Sequence, residues 1–222
     1  MADIILVPTS HVAEESMKLV EAVIRREKPD CVAVELDMNR LIAMEQGGGS
    51  PWQALRHLGP WTFSMFFVMK KVQTWIGKKT GIMPGSEMLR AVRVSEHHGI
   101  HVELIDQDLG ITMERMRRIS WREKAKLVFF LLKGLSVDRF ASGAGKQVKL
   151  DLRKSLPAEV VDEIISIMRK EFPGMYRVLV TERNRHMARR LLMLSGRFGR
   201  IVAVTGAAHS PGLRDMLNQK RI

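Results

Sequence analysis

Four short apolar runs, residues 4–7, 31–36, 101–105 and 201–205, stand out from a chain otherwise patterned at helical spacing. Each is bounded by turn or polar residues, and continuous apolar runs of this length predict β-strands. Between the first two, Met17, Val20 and Ile24 recur at helical spacing over residues 14–27. Glu14 and Glu15 lie at the start and Arg25 and Arg26 near the end, as the helix dipole favours. Pro29-Asp30 stops this helix, and Asp37 is placed to cap a second one running through Met44. The opening is therefore β-α-β, which implies parallel strands.

Gly47-Gly48-Gly49-Ser50-Pro51 breaks the pattern and opens an aromatic-rich excursion over residues 52–83. A helix follows from Pro84-Gly85-Ser86 through His97, closed by Gly99. The third strand ends in Asp106, and helices are predicted over 111–119, 121–135, 157–170, 174–194 and 211–219. Residues 136–149, rich in Gly, Ser and Lys, form the best linker. Strands alternating with helices predict an α/β fold: a mixed or mainly parallel central sheet flanked by helices, with a helical aromatic-rich insertion at about 47–83. A chain of 222 residues accommodates this as a single domain.

The formal net charge of +12 raises the question of an anionic partner. Lys and Arg are interleaved with Glu and Asp along the whole length, and no nucleic-acid-binding signature accompanies them, so the expectation is a basic solvated surface without a specific nucleic acid. Cys31 stands alone in an apolar run, which excludes an internal disulfide framework and points to a buried small hydrophobe in a reducing compartment. No leader is visible, and the longest apolar runs, 65–69 and 127–132, fall short of a bilayer. A soluble, cytoplasmic protein is expected, with peripheral membrane contact through the lysine-flanked excursion as the less favoured alternative to packing or a homodimer.

The polar chemistry gathers at one class of position. His11, Glu35, Asp106 and His209 each lie at, or a few residues past, the carboxyl end of a predicted strand, the edge where open α/β sheets bind ligands. Two imidazoles and one or two carboxylates make a donor set for a divalent cation, whose bound water becomes a nucleophile near neutral pH. In the helix before the last strand, Glu182, Arg185 or His186, and Arg189 share a face that offers a carboxylate base and an oxyanion-stabilising guanidinium; a solvated helix with ordinary ion pairs is the alternative. The His97-His98-Gly99-Ile100-His101 cluster reads as a helix C-terminus, and Gly143-Ala144-Gly145-Lys146 lacks the glycine and the Ser or Thr of a phosphate loop.

Ser10-His11-Val12, Pro29-Asp30, Val34-Glu35-Leu36-Asp37 with Arg40, and Gly85-Ser86-Glu87-Met88 occur in the order of one family. So do Leu104-Ile105-Asp106-Gln107-Asp108 with Thr112 and Arg115, Glu182-Arg183-Asn184, and the closing Val202 to Gly212 stretch. Together they resemble the TraB family, which includes PrgY and the Tiki proteases. The resemblance implies an α/β fold with a G-x-x-H motif at each end. It also implies divalent-metal-dependent peptide hydrolysis in one branch and removal or sequestration of a peptide pheromone in another. Carried onto this chain, His11 and His209 are the motif histidines that hold a metal (Mn, Co or Zn). Glu35 and Glu182 are ligand or general base, and Arg183 stabilises the oxyanion. Arg40, Asp106 and Arg185 contact substrate. Two departures stand out: Pro8 where the family has glycine, and Gln107 where it usually has arginine. The resulting expectation is a metal-dependent hydrolase of peptide-like substrates. The alternative is a non-catalytic regulator that captures a peptide or small ligand as a homo-oligomer.

Overall fold

The computed structural model describes residues 2–9, 14–45, 85–132 and 158–219. His11, the 47–83 excursion and the 136–149 linker lie outside them. Strand β1 (Asp3–Thr9) leads into helix α1 (Glu14–Glu27), then β2 (Cys31–Val34) and α2 (Met38–Glu45). Helix α3 (Ser86–His97), β3 (His101–Leu104), α4 (Leu109–Arg117) and α5 (Trp121–Leu132) follow. The last part comprises α6 (Ala158–Glu171), α7 (Pro173–Tyr176), a π-helical turn (Arg177–Thr181), α8 (Glu182–Leu194), β4 (Arg200–Gly206) and α9 (Ser210–Gln219).

The four described strands form one all-parallel sheet in the order β1-β4-β2-β3. The last strand therefore sits in the middle, between the first two. Its residues Ile201 to Gly206 are buried, as a central strand between two helical layers requires. Alternation divides the core into two layers. Val32, Val34, Val202 and Val204 pack with Val20, Val23 and Ile24 of α1 and Met88, Ala91 and Val92 of α3. Cys31, Ala33, Ile201 and Ala203 face the opposite way, onto Met187, Leu191 and Leu194 of α8 and Leu213 and Leu217 of α9. Fully buried in this layer, the Cys31 thiol is pushed up to about 12 by desolvation, so it is a packing residue as expected. A third cluster joins Met116 and Ile119 to Phe172, Met175 and Val178.

The helix expected over 174–194 is three segments, not one. The carboxylate of Glu123 accepts the backbone N–H groups of Gly174 and Met175, anchoring the start of α7. The π-helical turn then inserts before α8 and resets the phase at which Glu182 and Arg183 leave the axis. Pro8 proves compatible with β1. Asp3 N–H donates to Gly199 and Thr9 C=O accepts from Ala207, so odd-numbered positions bond β4 and the nitrogen of Pro8 faces the outer edge. Gly99 closes α3 with φ +65, the left-handed stop expected of it. No helix among the described residues is long and apolar enough to cross a membrane.

Candidate functional site

The carboxyl ends of β2, β3 and β4 meet in a buried polar network whose hub is Arg183. Glu35 directly follows β2. Its N–H still donates to Val204, while Leu36 N–H donates back to Val34, a three-residue turn that ends the strand. Both oxygens of the 3% exposed Glu35 are engaged: Oε2 accepts from Gly206 N–H at 2.7 Å, and Oε1 accepts from Arg183 Nη2. Arg183 also reaches Asp106 just past β3, with Nε donating to Oδ1 at 2.9 Å and Nη2 to Oδ2 at 2.7 Å. Burial works against the charge of this guanidinium, but Glu35 and Asp106 outweigh it and its pKa is raised. Arg40, on α2, completes the chain by donating to Asp106 Oδ2 at 3.3 Å.

His209 enters from the turn after β4, its C=O accepting from Leu213 N–H at the start of α9. The imidazole is buried, with Nδ1 2.6 Å from Asn184 Oδ1 and Nε2 3.2 Å from Glu35 Oε1. An amide oxygen only accepts, so Nδ1 carries a proton. Nε2 then meets a carboxylate, a contact that is attractive when a second proton or a cation lies there. A separation of 3.2 Å also suits two ligands of a single divalent cation. Glu35 and His209 therefore fit as two of its donors. Among the described residues, no group of three or more His, Cys, Asp or Glu side chains is arranged to hold a metal ion, and the expected third ligand, His11, lies outside them.

A rim surrounds this network. Gln107 is buried and donates from its side-chain amide to Thr112 Oγ1, while its side-chain carbonyl accepts from Arg115 at 2.9 Å. Arg115 also donates to Glu182 Oε2 at 2.9 Å, so a guanidinium reaches this edge from α4. Arg177 adds a second ion pair to Glu182 at 3.5 Å. Of the residues expected at the site, the structure brings together Glu35, Arg183, His209, Asp106 and Arg40. Glu182 stands beside them on the rim, and Arg185 is exposed on the far side of the helix without a hydrogen bond or ion pair among the described residues. His98 and His101 are occupied by Val94 C=O and Glu103.

Two further participants, Asn184 and Glu87, occur in the motifs quoted above but were given no role there. Asn184 holds His209, and Glu87, 2% exposed in the first turn of α3, accepts from Thr9 Oγ1 at 3.5 Å at the end of β1. Both were detectable as polar residues on an otherwise apolar helical stripe: Asn184 with Met187, Ala188 and Leu191, Glu87 with Met88, Ala91 and Val94.

Asn184 leads to a prediction. A Cβ on Gly212 would lie 2.4 Å from Asn184 Nδ2, well inside contact distance. Gly212→Ala is expected to push Asn184 off His209 and lower stability by about 1–3 kcal/mol, the cost of an unsatisfied buried polar group. Urea unfolding measures the loss, and Gly212→Ala in an Asn184→Ala background should cost clearly less.

Asp37 gives another. Its Oδ1 caps α2 by accepting from Arg40 N–H at 3.0 Å, as the sequence predicts, while Oδ2 is buried without a partner among the described residues. Burial raises its pKa, so the folded protein binds this proton more tightly than the unfolded chain. The associated stability is complete below the unfolded carboxylate pKa and lost as pH rises through the folded value. Asp37→Asn keeps the cap and removes the titration, so its stability relative to the parent should increase from pH 4 toward pH 7. Paired urea melts across that range test the sign.

Comparison with known proteins places these residues in context. The sequence pattern of the TraB/PrgY/gumN family matches residues 2–222. The chain is similar to an uncharacterised protein of Methanocaldococcus jannaschii, 34% identical over 218 residues, covering 95% of this chain and 52% of that protein. It is also similar to the TraB domain-containing proteins of Mus musculus and Homo sapiens, each 26% identical over 240 residues, covering 94% of this chain and 61% of theirs. The chain thus spans about half to three-fifths of the length of these relatives.

Proposed function

The chain belongs to the TraB/PrgY/gumN family, and on that premise we propose that the carboxyl edge of its sheet hydrolyses peptide-like substrates. The observation that carries this reading is the buried 3.2 Å contact between Glu35 and His209, held from behind by Asn184 and from the side by Arg183. Such a contact fixes charge and orientation before substrate arrives, the condition for electrostatic catalysis.

The residues divide the work. Arg183 directs donors to Glu35, Asp106 and Leu179 C=O, so it is a positioning residue that holds the two acidic strand ends together. Arg40, 35% exposed at the side chain and bound to Asp106 alone among the described residues, has N–H groups left for a substrate carbonyl or carboxylate. Glu35 accepts from Arg183 and Gly206 and faces His209 Nε2, an arrangement that suits it to hold positive charge rather than to act as a base. Glu182 is likewise neutralised by Arg115 and Arg177. A divalent ion (Mn, Co or Zn) bound by Glu35 and His209 together with His11 would supply a Lewis acid and a water of lowered pKa.

A peptide-capturing regulator is the second reading, favoured by the saturation of Glu35, Arg183 and Asp106 by one another. One experiment separates the two. Metal-stripped protein, with Mn, Co or Zn added back, is incubated with a peptide library. The hydrolytic reading expects metal-stimulated cleavage that His209→Ala loses. Binding in chelator without any product would contradict it and support capture.

A further inference from the structure

With Glu35 and Glu182 both neutralised by guanidinium groups, hydrolysis at this edge needs a proton acceptor from elsewhere. Helix α8 supplies one. Arg183 grips Asp106 just beyond β3, and Arg190 grips the same strand, donating to Glu103 at 2.9 Å and to Leu104 C=O at 3.4 Å. These two arginines are seven residues apart, so the stripe of α8 between them runs along β3. His186, three residues after Arg183 and four before Arg190, lies on that stripe near the end of the strand. It is also one turn from Glu182, which Arg115 pins from α4. The side chain is half-buried, and among the described residues its nitrogens make no hydrogen bond. His209 differs: both of its nitrogens are engaged within the protein.

We infer that His186 is the group that exchanges protons with water and substrate at this edge, an assignment that rests on the hydrolytic reading above. As the water oxygen bonds to the carbonyl carbon, His186 takes the water proton. It returns that proton to the nitrogen as the C–N bond breaks, so water and amide become carboxylic acid and amine with the imidazole regenerated. The surroundings suit a neutral base. Burial disfavours the imidazolium, Arg190, Arg115 and Arg189 oppose it, and Asp106 alone favours it, leaving the pKa below the ordinary value.

The test is the pH profile of peptide cleavage by the whole chain carrying His186→Gln, a half-exposed position at which the fold is expected to persist and circular dichroism verifies it. Expected are a kcat reduced about 10²–10⁴-fold with KM little changed, and loss of the acidic limb that the parent shows below its His186 pKa. Histidine-resolved NMR titration of the parent should assign that limb to His186. If the parent cleaves and His186→Gln keeps both its rate and its acidic limb, the assignment is overturned while the hydrolytic reading stands. If the parent cleaves nothing under any metal condition, both fall.

Discussion

Replacing Arg183 by methionine is expected to lower the free energy of unfolding by about 3–5 kcal/mol, the largest stability loss of any single change in this site. The reason is the company it keeps. Glu35 and Asp106 carry side chains only 3% exposed, and the guanidinium between them bonds to both. Methionine fills similar volume but leaves two carboxylates facing each other in a poorly hydrated space. Arg40, among the described residues, reaches Asp106 alone, and from 3.3 Å, so it compensates one of the two. For a chain of this size each kcal/mol moves the melting temperature by about 2–4 °C. Urea and thermal unfolding of Arg183→Met and Arg183→Lys measure the effect. Lysine keeps the charge but loses the planar fork that bridges both acids, so it should fall between methionine and the parent. A loss below about 1 kcal/mol for methionine would mean that the network is not closed as described.

The second large effect is on activity. Glu35→Gln is expected to reduce peptide cleavage about 10²–10³-fold, as removal of a preorganised electrostatic contact does. The substitution preserves shape, but an amide has one acceptor oxygen where Glu35 uses two, on Gly206 N–H and on the Arg183–His209 side. Its NH2 group then confronts a donor or a bound cation. The accompanying stability loss, about 1–3 kcal/mol, is smaller than for Arg183→Met. That difference separates the two proposed roles, positioning for Arg183 and direct participation for Glu35. Rates measured on material verified as folded by circular dichroism decide whether the loss is catalytic.

The central strands β2 and β4 were readable because they are buried on both faces, which leaves a nearly continuous apolar run and no ambiguity of period. Their order was not. Val32 and Val34 resemble Val202 and Val204 in every local respect, so nothing in sequence places β4 between β1 and β2; that follows from long-range pairing. The strand-end positions of Glu35, Asp106 and His209 were also readable, and they do converge. On the helix before β4, a face of Glu182, Arg185 or His186, and Arg189 was expected; Arg185 is exposed there, His186 is half-buried, and Asn184 is buried. The buried stripe of Met187, Ala188, Leu191 and Leu194, continued one turn back, meets Arg183 and Asn184 and was the better guide. Gln107 illustrates a different limit. Its replacement of arginine signals a missing cation, yet Arg115, eight residues on, brings a guanidinium to the same edge through Gln107 itself.

The reaction proposed for the Glu35–His209 edge is addition of water to a peptide bond. Its most direct test is incubation of a peptide library with the protein and Mn, Co or Zn in 18O-labelled water, followed by mass spectrometry. The account predicts new carboxyl termini carrying 18O, abundant with the parent and depleted about 10²–10³-fold with Glu35→Gln. Absence of labelled termini under every metal condition, or equal labelling by parent and Glu35→Gln, would contradict it.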